Sequence, residues 1–511
     1  MVLTSEQMRI VEAKSVEMGM SWLRLMENAG SAAARLIRDH YKLDSKKVVI
    51  VCGKGNNGGD GYVIARKLIE NKALVRVISV GVPSTPSAVE MASKAFNLGI
   101  KPINFESYPE LCIQYITDAD IVVDAIFGTG FKGKPEGYYR DVIIAVNNSN
   151  AQKIAVDIPS GMNSDNGLID DLFVYADMTV TFAAHKPCHL LYPSADYCGN
   201  VIVTSIGMPN EAFECVDPVM HVVSEQDVAQ ALPVRSSWFH KGDCGIAGLL
   251  CGTKGYAGAT VIAGKACVKS GAGIVNMIVP DAIYNIVGSS LPEAVYTVLS
   301  DVAHDMVRDD ICEKAIETFD RCTAGLIGCG LGQSKQAKYT LTEIMKNCSI
   351  PLVLDADGIN LLSDSIELIK QYTNDVIITP HPKEASRLLG CTVDDVQSDR
   401  LGSAKKLAEV TGAVSVLKGA KSIIALPTGS VYIVTDGNPG MATAGTGDML
   451  AGIITAFLSQ GMSAADAAVC GVKVHALSGD IAVKETSVLS LTPTDMINTL
   501  PTVYCRLYSK K

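Results

Sequence analysis

The sequence has no CxxC pair, no uncharged stretch of bilayer length and no excess of positive charge. Each absence removes a class of protein. The longest run free of Asp, Glu, Lys and Arg is Met449–Ala465. It carries Gly, Ser and Gln, whereas a bilayer span needs ~20 predominantly apolar residues. Lys and Arg total 44 against 54 Asp and Glu, a formal net charge of −10. That balance argues against a nucleic-acid or membrane partner but leaves room for a local phosphate pocket. The fifteen cysteines are scattered along the chain and read as buried thiols. Glu6, Arg9, Glu12 and Lys14 stand where an export signal would need its apolar core, so a cytoplasmic address is expected. His185, Cys188 and His189 form the one local metal-like cluster. Pro187 interrupts any helix that would align the histidines, and no acidic cluster completes a zinc site.

What is present is a globular composition, 48% hydrophobic and 19% charged, which excludes a disordered chain. At 511 residues the chain is about three times the common domain size of ~100–150 residues, so two or three domains are expected. Short β-branched runs alternate with helical patterns, the mark of parallel sheets built from βαβ units. In the first part the predicted strands are Val48–Gly53, Val75–Gly81, Ile121–Ile126, Ile154–Ile158, Met178–Phe182 and Val201–Ile206. The segment Glu211–Phe239, with Pro218 and Pro233, breaks the rhythm and holds the expected domain boundary. Strands resume at Ile246–Cys251, Ile274–Val279, Leu326–Gly328, Leu352–Leu354, Val376–Ile378, Val414–Leu417 and Val431–Val434.

Gly53-Lys54-Gly55-Asn56-Asn57-Gly58 fits G-x-G-x-x-G directly after a strand, with Tyr62–Glu70 as the following helix. Glycines there let backbone N–H groups approach a phosphate; a plain tight turn is the other reading. The dinucleotide fingerprint also places an acid ~20 residues on to hold a ribose hydroxyl. Ala73–Pro83 contains neither Asp nor Glu, which disfavours a nicotinamide dehydrogenase.

Five segments then follow in order: LMENAG at Leu25–Gly30, GNNGGDG at Gly55–Gly61, DAIFGTGF at Asp124–Phe131, DIPSG at Asp157–Gly161 and TFAAHKP at Thr181–Pro187. Together they resemble the NAD(P)H-hydrate epimerase domain, the YjeF N-terminal family. The resemblance implies a Rossmann-like domain over 1–217 that interconverts the R and S forms of NADHX and NADPHX and binds potassium. By motif position it implies Asn57, Asp124 and Ser160 as potassium ligands. It implies Asn56, Asn57, Gly58, Gly59 and Asp60, with Gly128, Thr129, Gly130, Phe131, Lys132, Gly133 and Lys134, as the dinucleotide cradle. Asp157 would lie by the hydrated ring as the catalytic carboxylate, able to move protons to and from oxygen. Lys186 is a second candidate, since a lysine in an apolar pocket can acquire a lowered pKa. A strand-end turn cap and a solvated loop lysine are the plainer readings of these two residues.

In the second half Asn438–Asp448 reads NPGMATAGTGD, followed by an apolar stripe of Met449, Leu450, Ile453, Ile454, Phe457 and Leu458 at helical spacing. The stripe reads as core. Gly445, Thr446 and Gly447 would expose N–H groups at the positive end of that helix, where a transferring phosphoryl group is stabilised. Asp448 stands where a carboxylate can accept the proton of an attacking hydroxyl.

This turn resembles the ribokinase-like superfamily. HKGDCG at His240–Gly245, GTKGYAGA at Gly252–Ala259, GCGLGQS at Gly328–Ser334, DADGINLL at Asp355–Leu362, TPHPKEASRLLG at Thr379–Gly390 and VLKGAKSII at Val416–Ile424 narrow it. They are similar to the ADP-dependent NAD(P)H-hydrate dehydratase, the YjeF C-terminal family. The resemblance implies a ribokinase-like domain over 218–511 that phosphorylates S-NAD(P)HX and loses phosphate to restore NAD(P)H, releasing AMP. Asp448 would be the general base. Ala259, Gly332, His381 and Asp448 would contact the hydrate, while Lys418, Gly419, Ala420, Lys421, Ser422 and Gly447 would contact the nucleotide. Magnesium commonly accompanies such transfers, and a homo-oligomer is the family expectation. Cys329 stands where proline is frequent, Ser422 for threonine, Gly358 for alanine and Ala444 for glycine. The expected architecture is thus two three-layer α/β domains. A small-molecule kinase fused to a nonenzymatic nucleotide-binding module is the alternative, since it would share the GTGD turn.

Overall fold

The computed structural model describes residues 1–70, 73–169, 172–216, 220–303 and 306–511. The chain divides into two compact units, Met1–Val219 and Met220–Lys511. The boundary expected between 217 and 218 lies outside the described residues. Among those residues no helix is long and apolar enough to cross a membrane.

Unit 1 is built on β1 (Lys47–Cys52), β2 (Leu74–Ser79), β3 (Ile103–Asn104), β4 (Ile121–Ala125), β5 (Gln152–Val156), β6 (Met178–Phe182) and β7 (Asn200–Thr204). They form one sheet in the order β3-β2-β1-β4-β5-β6-β7, parallel throughout. In β1, Val48, Ile50 and Cys52 enter one hydrophobic core while Val49 and Val51 enter another. Period-two alternation with both faces apolar requires helices on both sides of the sheet, giving three layers. The chain runs outward from β1 to β3 and returns to β4 beside β1. A crevice therefore opens between the carboxyl ends of β1 and β4, where open α/β sheets bind ligands.

Three helices shape that crevice: α1 (Ser5–Glu17), α2 (Trp22–His40) and α3 (Asn56–Ile69). The sequence pattern placed the start of α3 at Tyr62, but the helix begins at Asn56, so the second half of the glycine fingerprint lies inside its first turn. The reason is packing. A Cβ on Gly58 would sit 1.9 Å from the Gly53 carbonyl oxygen, and one on Gly59 2.5 Å from the Met26 sulfur. Without side chains, α3 presses directly onto the end of β1 and onto α2. At the start of the chain, α1 is tied to the β5–β6 connection and to the segment after β6. The Ser5 backbone N–H and hydroxyl each donate to Asp165 at 2.6 Å, and the Leu3 N–H donates to the His185 carbonyl at 2.9 Å.

Unit 2 contains β8 (Met220–Val222), β9 (Ile246–Leu250), β10 (Ile274–Pro280), β11 (Val295–Leu299) and β12 (Ala324–Ile327). It continues with β13 (Leu352–Leu354), β14 (Val376–Ile378), β15 (Val414–Leu417), β16 (Ile423–Ala425) and β17 (Val431–Ile433). The ten strands are ordered β11-β10-β9-β12-β13-β14-β15-β16-β17-β8. Two features depart from the sequence reading. The pairs β15–β16 and β16–β17 are antiparallel, because their short connections leave no room for a crossover. The segment read as a break supplies β8, which pairs parallel to β17 at the sheet edge. β3, β8, β11 and β16 were all missed; most are two or three residues long, too short to show a period. The apolar stripe is core as expected: the helix Thr446–Ser459 is buried from Met449 to Ser459. It lies so close to the helix Ala257–Lys269 that a Cβ on Gly452 would meet the Ala263 carbonyl oxygen at 2.2 Å.

Candidate active sites

The crevice of unit 1 is a cavity of about 500 Å³. Asn56, Asn57 and Asp60 line it from α3, Phe127–Phe131 from the turn after β4, Asp157 from the end of β5 and Lys186 from beyond β6. Arg9 and Glu12 reach it from α1, and Trp22 and Met26 from α2. Phe127 and Phe131 stack with ring centroids 4.1 Å apart, giving the turn an aromatic wall. Of the expected cradle, Lys132, Gly133 and Lys134 are exposed and lie off the cavity wall. Gly58 and Gly59 are buried in helix packing.

Lys186 is fully buried, at 1% side-chain exposure. It donates to Asp157 Oδ1 at 2.6 Å, Thr181 Oγ1 at 2.8 Å and the Phe182 carbonyl at 3.0 Å, so all three ammonium protons are placed. The solvated-lysine reading therefore fails. Asp157 adopts φ +68°, the left-handed region that Asp tolerates better than most residues. Burial pushes its carboxyl upward, but the Lys186 ammonium outweighs this and holds it below the ordinary range. Asp60 has no such partner: burial, with Asp157 and Glu12 nearby, drives its carboxyl well up. Burial and Asp157 raise Glu12 to about 7, against Lys186 and Arg9. His189 is neutral, pushed down to about 3 by burial and Lys186. Its ring nitrogens meet the Lys186 N–H and the Asp157 carbonyl oxygen, at 3.1 and 3.0 Å.

Asn57, Asp124 and Ser160 each hydrogen-bond the turn after β4. Ser160 donates through its hydroxyl to Asp124 Oδ1 at 2.5 Å and through its backbone to Oδ2 at 2.8 Å. Asn57 Nδ2 donates to the Phe127 carbonyl at 2.8 Å. Asn57 Oδ1 is buried with no partner. An orphaned buried amide oxygen, a carboxylate and a hydroxyl are the oxygen donors a hard monovalent cation takes. Burial alone raises Asp124 to about 6 despite the Ser160 hydrogen bonds.

In unit 2 the GTGD turn starts the helix Thr446–Ser459, with Gly445 at φ +93° as its N-cap. Cys329, Asp355 and Asp448 bring ligand atoms within 4.8 Å of one another. Lys418 donates to Asp355 Oδ1 at 2.6 Å, as does Thr379 Oγ1 at 2.7 Å. A Cβ on Gly447 would lie 3.2 Å from Lys418 Nζ, so the lysine sits at the turn itself. Beneath it, buried Arg400 braces the loop by donating to the Leu417 and Lys418 carbonyls at 3.4 Å, and Gly419 at φ +148° passes over its guanidinium. Burial and Asp355 raise Asp448 to about 6. Cys329 donates to Asp355 Oδ2 at 3.5 Å, so the departure from proline puts a thiol beside the carboxylates.

The other expected residues are less convergent. The Gly332 N–H donates to Asp357 Oδ2 at 2.8 Å, and Ala259 lies across from Gly330. His381 lies in the short loop after β14 and caps the helix Pro382–Leu389, its Nδ1 accepting from the Lys383 N–H at 3.1 Å. Burial and Lys418 lower its pKa. Ser422 donates to the Gly419 carbonyl at 3.1 Å and shapes the turn. Ala420 is exposed. Two residues escaped sequence reasoning. Glu12 was noted only as a charge near the N-terminus. His475, in the helix Ala464–Ala482, is buried near the Thr446 backbone and is pushed down to about 4 by burial. A lone histidine on an apolar helix carries no sequence signal of that contact.

These features define a two-unit α/β protein that handles nucleotides, its second unit ribokinase-like. Residues 247–502 match the family described as NAD(P)H-hydrate dehydratase, and residues 23–188 that described as YjeF-related protein N-terminus. The bifunctional NAD(P)H-hydrate repair enzyme Nnr of Thermofilum pendens is 37% identical over 93% of this chain and 91% of its own length. Its counterpart in Moorella thermoacetica is 34% identical over 98% and 96%. Among solved structures, a ribokinase-like superfamily protein of Enterococcus faecalis superposes with TM-score 0.51 at 28% identity, over 57% of this chain and 98% of that one. The chain belongs to the bifunctional NAD(P)H-hydrate repair family.

Proposed function

We propose that the chain repairs hydrated NADH and NADPH at two sites. Unit 1 interconverts R- and S-NAD(P)HX, and unit 2 uses ADP to dehydrate S-NAD(P)HX to NAD(P)H, releasing phosphate and AMP. One observation carries this reading. A carboxylate–lysine cavity and a glycine-rich helix N-terminus occur in one chain, each in the half that matches the corresponding family.

In unit 2 the chemistry follows from leaving groups. Hydroxide departs poorly and phosphate well. Asp448 accepts the proton of the hydrate hydroxyl as that oxygen attacks the terminal phosphorus of ADP, and AMP leaves. N–H groups at Gly447 and the turn, with Lys418, stabilise charge developing on the phosphoryl oxygens. Phosphate is then lost as the ring double bond re-forms. Ala259, Gly332 and His381 line the hydrate side, and Lys418–Ser422 the nucleotide side. The oxygens of Asp355, Asp357 and Asp448 suit magnesium, whereas the Cys329 thiol is a donor this ion avoids. Bound magnesium would neutralise phosphate charge.

In unit 1, Asp157 serves proton transfer at the hydrated ring, and the turn Gly128–Phe131 with the start of α3 holds the dinucleotide. Asn57, Asp124 and Ser160 would hold potassium, supplying positive charge behind that turn. A cytoplasmic address and homo-oligomeric assembly belong to the same proposal.

The test is direct. Given an R/S mixture of hydrated NADH and ADP, the protein should restore NADH absorbance completely and faster than uncatalysed epimerisation allows. Recovery of only the S fraction sinks the epimerase reading, and recovery without any nucleotide sinks the dehydratase reading. ATP in place of ADP measures donor preference.

A further inference from the structure

We propose that Glu12 is a second catalytic residue of the epimerase site, acting as proton donor opposite Asp157; this rests on reading unit 1 as an NAD(P)H-hydrate epimerase. Position comes first. Glu12 lines the same cavity as Asp157, Asp60 and Lys186. It is held there by design of the chain: Ser5 and Leu3 tie the start of α1 to Asp165 and to His185, next to the Lys186 segment.

The cavity also needs a donor that can give up its proton and take it back near neutral pH. Asp157 is tied to the buried Lys186 ammonium and accepts from Thr181 Oγ1 at 3.0 Å, which keeps it ionised. Asp60 on α3 is driven far the other way by burial and holds its proton. The titratable and charged groups around Glu12 are Asp157 from the end of β5, Asp60 from α3, Lys186 from beyond β6, Lys54 from the turn after β1 and Arg9 one turn back on α1. Under that combination Glu12 titrates at about 7, where a proton can both leave and return.

The step balances with water alone. The reacting ring carbon bears a hydroxyl and adjoins the ring nitrogen. Glu12 gives its proton to the hydroxyl, the C–O bond breaks with its pair on the departing water, and the nitrogen lone pair forms C=N⁺. A water molecule adds to the other face of the carbon, returning the C=N pair to nitrogen and its surplus proton to Asp157. One proton then passes from Asp157 to Glu12 and the site is reset. The carbon is inverted, and nothing is oxidised or reduced. The ionised Asp157 also stabilises the transient cation.

The experiment compares the full-length wild type with Glu12→Gln, following separated R and S epimers after subtracting the uncatalysed rate at each pH. The dehydratase unit of the same chain standardises the amount of folded protein. The proposal expects kcat for epimerisation to fall about 100-fold or more, the usual scale of an acid–base group, with KM within about threefold. It also expects the wild-type loss of kcat above pH ~7 to vanish from the residual activity, since a donor must be protonated. Glu12→Ala should regain rate with added formate. Retention of most of the wild-type kcat, a loss carried by KM alone, or an unchanged alkaline limb would overturn the proposal while leaving the epimerase reading intact. A wild type that does not epimerise overturns both.

Discussion

Replacing Lys186 by Met tests whether the unit 1 cavity is held by one buried cation. The substitution keeps the apolar stem but leaves Asp157, 14% exposed, beside Asp60 and Glu12 with no lysine. Breaking a buried pair from one side typically costs ~3–5 kcal/mol. Protonation of Asp157 limits the charge penalty: at pH 7 it costs ~1.36 kcal/mol for each of ~3 units above the unfolded value of ~3.9, or about 4 kcal/mol. The expected loss is therefore ~3–4 kcal/mol, read as roughly 10²- to 10³-fold faster hydrogen exchange in β1 and β4 amides that open by global unfolding of unit 1. The pH dependence has a definite sign. In the wild type the depressed Asp157 contributes stability that is present above ~3.9 and lost as pH falls through its lower folded value. In Lys186→Met the folded carboxyl is raised. The deficit should therefore be small only below the depressed folded value of the wild type, and grow as pH rises until the raised value of the variant is passed. Adding Asp157→Asn should recover most of the loss, because no uncompensated charge remains. Exchange accelerated less than tenfold by Lys186→Met, or a double variant no better than the single one, would refute the reasoning.

Three further outcomes are expected. Asp448→Asn should lower dehydration ~10²- to 10⁴-fold while leaving epimerisation unchanged. In the wild type, dehydration should fall as pH drops through about 6, because the base must be ionised; NADH absorbance reads both. His475, depressed to about 4, should make unit 2 lose stability as pH falls from ~6.5 toward that value, since only the unfolded chain accepts the proton readily. His475→Gln should flatten that acid limb in denaturant titrations. Gly58→Ala forces a methyl group to 1.9 Å from the Gly53 carbonyl, and should destabilise unit 1 by ~2 kcal/mol or more with loss of epimerisation; the readouts are exchange in β1 and epimer ratio.

The local sequence by itself determined where both sites begin. A strand that ends in glycines, a helix whose first residues are GTGD and an apolar stripe behind it are nearest-neighbour patterns, because hydrogen-bond geometry and period are set within a few residues. The central strands were legible on that basis, whereas the grouping of Asn57, Asp124 and Ser160 came from the resemblance of whole motifs to a family and from no local pattern. The edges were not. β8 is three residues whose pairing with β17 depends on a partner far along the chain, and α3 begins six residues early because Gly58 and Gly59 fit surfaces that exist only once β1 and α2 are in place. Only the tertiary structure decided the protonation chemistry. Lys418 meets Asp355 across 63 positions and Lys186 meets Asp157 across 29. Glu12 enters the cavity only because α1 is tied beside the Lys186 segment. Burial and the sign of a neighbour's charge set a carboxyl's pKa, and both are properties of three-dimensional proximity that no spacing along the chain encodes.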